Sequence, residues 1–388
     1  MRIGLNLLHA LPEIGGGWNY IEQLVAALAE HDGGHQFVAF CSPHSVPLVP
    51  DGRAMQRVVL PVESRSRWAR IRAEHGALVD AGRRHAVELM HHFSGTMPWR
   101  APWRNVVTVY DLLPLREPRA FPLAKRLYLR AMVPRSLRAA DMLAPMSEAT
   151  ATDVATLLGV ARERMVVVPA VLGGAFVPAG GAEVARLRRR HALPERFWLY
   201  VAHAYPHKNH RRLLEAFAAT PAGDAPAWPL VLRGDGIEEA LAPHVAELGL
   251  AERVRFLPRL DGADMATLFS AASGLAFPSL FEGAGIPVLE AMACGCPVVA
   301  SGIAPLREFG GDVPDFCDAS DVGVLRAALQ RLEAEPARRA TMRARGLARA
   351  ERFRPAPVAA ACHRVYELAA RADRAVDPRA LRSQRSHA

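Results

Sequence analysis

The sequence predicts an α/β protein built from two doubly wound parallel sheets. Short apolar runs alternate with helix-length amphipathic segments along nearly the whole chain, which is the pattern of strand–helix–strand units. The chain has 388 residues, enough for two domains of ordinary size. A segment rich in Gly and Pro, residues 169–181, separates two such alternating series and is predicted to be the linker between the domains.

The first series contains seven apolar runs of strand length. These predicted strands are 3–8, 36–40, 57–60, 87–90, 105–109, 142–144 and 165–168. Amphipathic segments between them predict helices at 18–29, 68–83, 123–139 and 147–158. Ser147 opens the last of these helices as a predicted N-cap, because its hydroxyl can accept a hydrogen bond from an amide of the first turn.

The second series repeats the pattern. Its predicted strands are 198–201, 230–233, 253–257, 274–277 and 297–300, and its predicted helices are 209–219, 237–248, 263–272 and 321–335. A last helix is expected from about 358 to 370. The predicted domains are therefore 1–175 and 176–355, followed by a C-terminal helix at 356–372 and a disordered tail, rich in Arg and Ser, at 373–388.

Composition excludes several classes of protein. Charged residues make up 22% and hydrophobic residues 51%, which argues against disorder. The five cysteines show no paired spacing, and Cys294-Gly-Cys296 has no partner pair, so neither disulfides nor a zinc site are expected. Met1 leads directly into a strand pattern, and no apolar run reaches the ~18 residues that span a bilayer. We therefore expect a soluble cytoplasmic protein.

The most specific segment lies at 274–295. Glu282 and Glu290 stand eight positions apart, with Gly283, Gly285 and Pro287 between them. An apolar run precedes Glu282, and the run after Pro287 predicts a short helix with proline in its first turn. This places Glu282 at the carboxyl end of a strand, where α/β sheets bind ligands, beside a helix N-terminus suited to phosphate. A nucleotide sugar, which carries both hydroxyls and phosphate, fits such a site.

The whole segment resembles a known signature. Residues 277–295 read Phe-Pro-Ser-Leu-Phe-Glu-Gly-Ala-Gly-Ile-Pro-Val-Leu-Glu-Ala-Met-Ala-Cys-Gly. This string closely resembles that of the retaining glycosyltransferases of family 4, also called glycosyl transferases group 1. The resemblance implies the GT-B fold, with two Rossmann-like domains facing across a cleft. It implies that Glu282 binds sugar hydroxyls, that Glu290 binds ribose hydroxyls, and that Gly283, Ala284 and Gly285 line the donor site. Ala284 stands where phenylalanine is commoner.

A second segment resembles the same family. Residues 205–210 read Tyr-Pro-His-Lys-Asn-His and follow a predicted strand. In the family an Arg-Lys pair here neutralises the donor pyrophosphate, so the resemblance makes Lys208 the residue that stabilises the leaving phosphate. His207 occupies the position of the arginine, and with an ordinary pKa near 6.5 it is only partly cationic at neutral pH.

Glycines mark two further donor-binding candidates. Gly234 ends the predicted strand in Leu-Val-Leu-Arg-Gly-Asp-Gly, residues 230–236, which resembles the family's Gly-x-Gly turn beside the nucleotide. Gly15, Gly16 and Gly17 follow the first strand and open the first helix. The resemblance places this loop over the donor phosphates or at the acceptor cleft, and an ordinary flexible loop is the alternative. Because the spacing is not G-x-G-x-x-G, a dinucleotide-dependent dehydrogenase is disfavoured.

The first domain offers candidates for the acceptor or sugar side. Residues 107–115 resemble the family segment His-Asp-Leu-Ile-Pro, with Tyr110 in place of His and with Asp111 retained as a catalytic candidate. A structural Asp that caps the loop is the alternative for Asp111. His92 is expected in the cleft, whereas His91 points to the opposite face, so the two cannot share a metal ion. No Asp-x-Asp follows a strand, and no metal is expected.

These resemblances imply a retaining glycosyltransferase that moves a hexose, such as mannose, from a nucleoside diphosphate sugar to an acceptor hydroxyl in glycan or polysaccharide synthesis. It would need no cofactor or metal ion. In the family's mechanism the leaving phosphate itself takes the acceptor proton. The alternatives are a nucleotide-sugar epimerase or phosphorylase on the same fold, and a non-catalytic binding protein. An epimerase would form product without an acceptor alcohol.

A net charge of +9 and a basic stretch at 116–138 suggest an anionic partner. The basic residues include Arg116, Arg119, Lys125, Arg126, Arg130 and Arg135. No nucleic-acid-binding motif accompanies them, so nucleic acid is not expected. A lipid-linked acceptor would favour peripheral contact with an anionic membrane. A solvated basic helix face is the alternative.

Overall fold

The chain forms two compact units, each built on its own six-stranded sheet in which the strands run parallel. The computed structural model describes residues 1–14, 16–52, 54–116, 122–218 and 226–372. The first unit consists of Met1–Val171 and the chain from Pro355 onward, and the second is Leu172–Arg354. The sequence predicts these two boundaries at 175 and 355. The tail predicted to be disordered, 373–388, lies outside the described residues.

The first unit has strands β1 (Arg2–Asn6), β2 (Gln36–Cys41), β3 (Met55–Val59), β4 (Leu89–His92), β5 (Arg104–Val109) and β6 (Met142–Pro145). Their order in the sheet is β3-β2-β1-β4-β5-β6. The helices in this part of the chain are α1 (Gly16–Glu30), α2 (Arg67–His75), α3 (Ala77–Arg84), α4 (Leu113–Arg116), α5 (Leu123–Ala139) and α6 (Glu148–Leu158).

The second unit has strands β7 (Trp198–Val201), β8 (Leu230–Arg233), β9 (Val254–Leu257), β10 (Gly274–Phe277), β11 (Val298–Ser301) and β12 (Asp315–Cys317), in the order β12-β11-β10-β7-β8-β9. Its helices are α7 (Gly181–His191), α8 (His210–Phe217), α9 (Ile237–Glu247), α10 (Gly262–Ala271), α11 (Ile286–Ala293), α12 (Ala304–Gly310), α13 (Val322–Ala334) and α14 (Pro336–Ala350). The last described helix, α15 (Pro355–Arg371), belongs to the first unit.

Both sheets have the Rossmann strand order, and this order decides where a ligand can bind. In each unit the first strand lies between the second and the fourth, so the chain reverses direction across the sheet at β1/β4 and at β7/β10. At such a point the loops beyond the carboxyl ends of the two strands diverge and leave a crevice. The prediction of two Rossmann-like domains is confirmed.

The interior of each unit is apolar, as the strand pattern predicts. Ile3, Leu5 and Phe40 are fully buried in the first sheet, and Leu199 and Phe277 are almost or fully buried in the second. Helix α15 packs against α1 and against the strands β4, β5 and β6. It thereby completes the first core after the chain has passed through the second unit.

Local sequence signals explain several helix ends. The Ser147 hydroxyl accepts a hydrogen bond from the Thr150 amide at 3.1 Å, which is the N-cap predicted for α6. Gly159 ends this helix in the left-handed region, with φ +65°. Pro287 stands in the first turn of α11, as predicted.

The structure corrects two predicted elements. The single helix expected at 68–83 is two helices, because the chain breaks at Gly76 (φ −123°, ψ −85°). The segment expected as a strand at 165–168 runs beside β6, where the Val166 and Val168 amides donate to the Leu143 and Pro145 carbonyls at 3.1 and 2.9 Å. It forms only a single parallel bridge, between Met165 and Leu143. Further elements without a predicted counterpart are α4, α7, α12, α14 and β12. Helices α7 and α14 could not be predicted from hydrophobic periodicity, because they are rich in Arg and have few buried apolar side chains.

Candidate functional site

The crevice at β7/β10 holds an ion pair between two predicted catalytic residues. Lys208 lies in the loop after β7 and Glu282 in the loop after β10. The Lys208 Nζ donates to Glu282 Oε1 at 2.6 Å. The two side chains are only 18% and 10% exposed, respectively. This hydrogen bond between two charged groups is largely shielded from solvent. It holds both side chains at the carboxyl ends of the strands, where α/β sheets bind ligands.

The two loops that carry this pair are fixed to each other through backbone atoms. Asn209 adopts the left-handed region, with φ +61°, which asparagine tolerates better than most residues. Its Nδ2 donates to the carbonyls of Pro278, at 3.1 Å, and Ala319, at 2.7 Å. The Leu280 amide donates to the His207 carbonyl at 2.8 Å, and the Tyr200 hydroxyl donates to the Lys208 carbonyl at 2.5 Å. These hydrogen bonds fix the two loops, and so the positions of Lys208 and Glu282, before any ligand binds.

Glu290 lies on α11, beside the end of β8. Burial raises the pKa of Glu290 to about 7, and the Arg233 guanidinium opposes that rise. Arg233 is the last residue of β8; its Nε is buried without a hydrogen-bond partner, and burial lowers its pKa. Arg233 also lies 3.9 Å from Asp235, and its unbonded Nε together with the partly buried Glu290 carboxyl leaves hydrogen-bonding capacity for a polar ligand.

A cavity of about 680 Å³ opens at the carboxyl ends of β8 and β9. Its lining is formed by 234–239 and 256–259, including the predicted donor-binding residue Gly234. A side chain at Gly234 would overlap the backbone carbonyl of Ala202, so only glycine lets the β7 and β8 loops approach this closely. The volume lies in the range of small-molecule sites.

The other donor-site candidates on this unit surround the start of α11. Gly285 is the N-cap of α11, with φ +83°, and a side chain there would overlap Leu306. Ala284 is buried, and Gly283 lies partly buried next to Glu282. The glycines thus let the chain turn sharply between the strand and the helix, so that Glu282 and the helix N-terminus share one edge of the sheet.

His207 does not supply a second full positive charge. Burial lowers the pKa of His207 from its ordinary value, the Lys208 ammonium lowers it further, and Glu282 only partly opposes this. The ring stacks on Tyr205, with centroids 5.8 Å apart. The unliganded protein therefore presents a neutral imidazole at the position where the family pattern has arginine.

The first-domain candidates occupy separate places on their own sheet. Gly16 and Gly17 open α1, and Gly15 lies outside the described residues. Tyr110 is packed edge-on against Tyr20, and its hydroxyl is buried without a hydrogen-bond partner. Asp111 Oδ1 accepts from the Leu113 amide at 2.8 Å, which is the capping geometry of the alternative interpretation.

The adjacent histidines point to opposite sides of β4, as expected. His91 is bonded to the hydroxyls of Tyr366, at 2.9 Å, and Thr108, at 2.8 Å, inside the core under α15. His92 is fully buried at the end of the strand and bonds to the side chains of Asn6 and Asn105, both at 3.2 Å. His91 therefore has a structural role, whereas His92 belongs to the crevice at β1/β4.

Several residues at the two crevices were not singled out from the sequence. Arg233 was part of a quoted motif, and its position at a strand end next to Gly234 is the signal that could have identified it. Asn209 has a similar local signal, a small amide directly after the basic pair. Asn6 and Glu74 have no local signal, because only the fold brings them together.

The described part of the chain has neither a metal-binding cluster nor a membrane-spanning helix. No group of three or more His, Cys, Asp or Glu side chains within it could hold a metal ion. All five cysteines, which lie within the described residues, are buried and free. None of the described helices is long and apolar enough to cross a bilayer.

The second of the two Rossmann-like units has a Lys–Glu pair and a cavity of small-molecule size at the carboxyl ends of its strands, which is where sheets of this kind bind ligands. Family models match both units: the model described as "Glycosyl transferase 4-like domain" covers residues 15–170, and that described as "Glycosyl transferases group 1" covers 184–349. The chain therefore belongs to the group 1 glycosyltransferases.

Individual proteins similar to this chain support the family assignment. The chain is 30% identical to O-antigen chain mannosyltransferase B of Escherichia coli over 253 residues, which are 64% of this chain and 66% of that protein's length. Sucrose-phosphate synthase from Thermosynechococcus elongatus has a similar structure, with a TM-score of 0.77, 23% identity, and coverage of 95% of this chain and 98% of its own. HepE of Anabaena in complex with UDP and glucose gives a TM-score of 0.70 at 19% identity, covering 95% and 99%.

Proposed function

We propose that the protein transfers a hexosyl group from a nucleoside diphosphate sugar to an acceptor hydroxyl, with retention of the anomeric configuration. The Lys208–Glu282 pair at the β7/β10 crevice carries this proposal. A sugar donor needs an acceptor of hydroxyl hydrogen bonds and a cation for its phosphates, and this pair supplies both. The HepE complex with UDP and glucose, on the same fold, supports such a donor.

The proposed sugar is mannose and the proposed process is the synthesis of a glycan or polysaccharide. The Escherichia coli relative, named as an O-antigen chain mannosyltransferase, supports both. Its name refers to a polysaccharide chain, so a glycan or a lipid-linked glycan is the proposed acceptor. The base of the donor, guanine or uracil, is left to the experiment.

Each residue of the site has a role in this proposal. Glu282 holds hydroxyls of the transferred sugar, and Lys208 leaves Glu282 to meet the departing diphosphate. Glu290 binds the ribose hydroxyls, and the glycine turn before α11 brings backbone amides to the phosphates. The acceptor hydroxyl attacks the anomeric carbon as the bond to the phosphate oxygen breaks, and that oxygen takes the acceptor proton. No dedicated base is then required.

A ligand panel tests the donor assignment. Thermal shift is measured with GDP, UDP, GDP-mannose and UDP-glucose, each against its nucleoside. We expect a rise in melting temperature with one family of nucleoside diphosphates and no rise with the nucleosides, because binding to the folded state stabilises it by mass action. Absence of a shift with all four phosphate-bearing ligands at millimolar concentration contradicts the proposal.

We propose further that transfer is independent of divalent metal. Lys208 and the N-terminus of α11 supply positive potential where a metal-dependent enzyme would use Mg²⁺ or Mn²⁺ held by carboxylates. Turnover in excess EDTA should therefore equal turnover with added Mg²⁺ within about twofold. A loss of more than tenfold in EDTA that metal restores would show that the leaving group is stabilised differently.

The relatives and family models do not favour the epimerase or phosphorylase alternative, which makes a distinct prediction. An epimerase converts the donor without any acceptor alcohol, and a phosphorylase requires inorganic phosphate. Assays of donor consumption without acceptor, with phosphate alone and with a saccharide acceptor separate the three activities.

We also propose that the first unit contacts an anionic membrane through the face formed by α2 and α5. Trp68 on α2 is 76% exposed, and Leu123 and Leu127 on α5 are each 60% exposed. Arg67 and Lys125 carry positive charge close together, since Arg67 is one of the cations that lower the pKa of Lys125 after burial. Exposed apolar side chains beside cations match the chemistry of an anionic lipid surface.

Only some of the basic residues expected at 116–138 are available for contact with lipid. Arg116 is bonded to Asp153, and Arg138 donates to the Leu158 carbonyl at 3.0 Å, so these two are engaged within the protein. Residues 117–121 lie outside the described part of the chain. We expect flotation with vesicles containing phosphatidylglycerol but not with pure phosphatidylcholine, and loss of flotation in a variant carrying Arg67→Glu and Lys125→Glu. Equal flotation of variant and wild type would contradict the contact.

A further inference from the structure

A second cavity of the second unit opens at the edge of the sheet opposite to the proposed donor site. Its volume is about 250 Å³. The loops that lead into β7, β8, β10 and β11 line it together with α14, and the lining includes Arg196, Trp228, Ser273, Gly295, Arg339 and Arg343. These loops lie at the amino ends of the strands, whereas Lys208 and Glu282 follow the carboxyl ends. We call this place the arginine cavity.

The arginine cavity is lined by positive charge that no carboxylate neutralises. None of the described lining residues is acidic. On α14, Arg338 forms an ion pair with Asp315 at 3.1 Å. Arg339 and Arg343 of the same helix, which line the cavity, hydrogen-bond only to backbone carbonyls within the described part of the chain. Arg196 makes no hydrogen bond or ion pair with any residue that the structure describes. A concave surface lined by charge of one sign concentrates ions of the opposite sign.

Two of these guanidinium groups are held in position without a ligand. The Arg339 guanidinium lies over the ring of Trp228, 5.3 Å from its centroid, and its Nη1 donates to two carbonyls at the end of α13, at 2.6 and 2.7 Å. The Arg343 Nη1 donates to the Gly295 carbonyl at 3.2 Å. A Cβ at Gly295, where φ is +73°, would come within 2.8 Å of the Arg343 guanidinium carbon, so glycine is what lets Arg343 lie there. Each guanidinium has five N–H donors and keeps some of them for a ligand.

The chemistry and size of the cavity favour a phosphate ester. A guanidinium is a planar group that binds phosphate oxygens through paired hydrogen bonds. The Ser273 hydroxyl makes no hydrogen bond to the described residues and is a further donor. The volume of about 250 Å³ lies just under the ~300–1,000 Å³ of drug-sized pockets, so it suits a small ester and does not enclose a nucleotide sugar.

We propose that the arginine cavity binds a phosphate monoester, whose phosphate group is held by Arg196, Arg339 and Arg343. The inference does not rest on the proposed function, because it uses none of the residues assigned to the donor. Gly295 lies just beyond the C-terminal end of α11, and the N-terminal end of this helix lies beside the loop of Glu282. The monoester would therefore bind at one end of α11 and the proposed donor at the other.

Glycerol 3-phosphate is the probe, and calorimetry at low salt measures its binding to wild type and to Lys208→Ala. We expect it to bind both proteins with affinities within twofold of each other, because Lys208 lies at the opposite edge of the sheet. Inorganic phosphate should compete with it, and glycerol should not bind. The affinity should fall as salt rises, since dissolved ions screen the guanidinium charges.

Two double variants with the same change in charge locate the site. Arg196→Gln combined with Arg343→Gln removes two charges from the cavity. Arg186→Gln combined with Arg189→Gln removes two charges from exposed positions of α7 that do not line it. We expect the first pair to weaken glycerol 3-phosphate binding tenfold or more and the second to change it less than twofold.

A single position tests the charge of the cavity separately from its volume. Ala340 of α14 is exposed and lines the cavity. Ala340→Glu supplies the missing carboxylate, whereas Ala340→Gln adds a side chain of the same size without charge. Both are good helix formers, so both variants should fold. We expect Ala340→Glu to weaken glycerol 3-phosphate binding tenfold or more and Ala340→Gln to weaken it less than threefold.

A soluble ester and a lipid headgroup share this phosphate chemistry, and vesicle flotation distinguishes the two sources. With vesicles that contain phosphatidic acid, flotation that is unchanged in Arg196→Gln/Arg343→Gln assigns the cavity to a soluble ester. Flotation that is lost in this variant and kept in the α7 control assigns it to a lipid headgroup.

The outcomes separate this inference from the proposed function. It is overturned if neither glycerol 3-phosphate nor inorganic phosphate binds wild type at millimolar concentration, or if Lys208→Ala abolishes the binding. Equal weakening by the two double variants, or unchanged binding in Ala340→Glu, would also overturn it. Failure of GDP and UDP to bind would instead overturn the proposed donor site, and binding of glycerol 3-phosphate that depends on Arg196 and Arg343 would stand in either case.

Discussion

Glu282→Gln should leave the protein folded and almost abolish transfer. The carboxylate accepts the Lys208 ammonium at 2.6 Å, and a glutamine oxygen can still accept this bond. The variant loses the charge that we assign to holding the transferred sugar. Loss of a charged hydrogen bond of this kind costs about 2–4 kcal/mol in the transition state, which is roughly 30- to 900-fold in rate.

The measurement is donor turnover with acceptor present, together with the melting temperature. Glu252→Gln, at an exposed glutamate of the same unit, is the matched control and should behave as wild type. If a well-folded Glu282→Gln protein turns over at nearly the wild-type rate, Glu282 does not bind the transferring sugar.

Lys208→Ala should weaken binding of nucleoside diphosphates about 10- to 100-fold and leave nucleoside binding unchanged. The ammonium is assigned to the phosphates, and a hydrogen bond to a charged group contributes about 1.5–3 kcal/mol. Calorimetry with GDP or UDP and with the corresponding nucleoside measures the difference. Equal weakening of both ligands, or of neither, would remove Lys208 from the phosphate site.

A double variant separates this effect from a loss of stability. Lys208→Ala leaves the Glu282 carboxylate unpaired and mostly buried, which lowers stability. Adding Glu282→Gln removes that charge, so the double variant should recover stability without recovering affinity. His207→Gln is a second control, because the lowered pKa of His207 means that it contributes little charge near neutral pH. We expect it to change nucleoside diphosphate affinity less than threefold at pH 7.5.

Much of the second unit could be predicted because its signals are local. Gly285 and Pro287 define a turn and a helix start within three residues, and the apolar run of β10 ends directly before the loop of Glu282. The prediction of Lys208 followed from a similar short pattern. What such patterns did not reveal was that the two side chains form an ion pair, since this depends on β7 and β10 being neighbours.

Features that depend on long-range packing could not be predicted in this way. Glu74 is the one acidic residue of α2, a helix that also carries three arginines, and only the sheet order brings it to Asn6 and His92. His207 has an ordinary local sequence, and its lowered pKa arises from burial and from the proximity of Lys208. The break at Gly76 was not predicted because a lone glycine within a helix-length segment does not by itself mark a helix end.

The central claim, retaining transfer at the Lys208–Glu282 crevice, is tested most directly by following the reaction by proton NMR. The protein is incubated with GDP-mannose or UDP-glucose and with methyl α-D-mannopyranoside as acceptor, in excess EDTA. Our account predicts a glycoside with the anomeric configuration of the donor sugar, formed together with one equivalent of nucleoside diphosphate, by wild type and not by Glu282→Gln. A product of inverted configuration, or donor conversion that proceeds equally without acceptor, would contradict it.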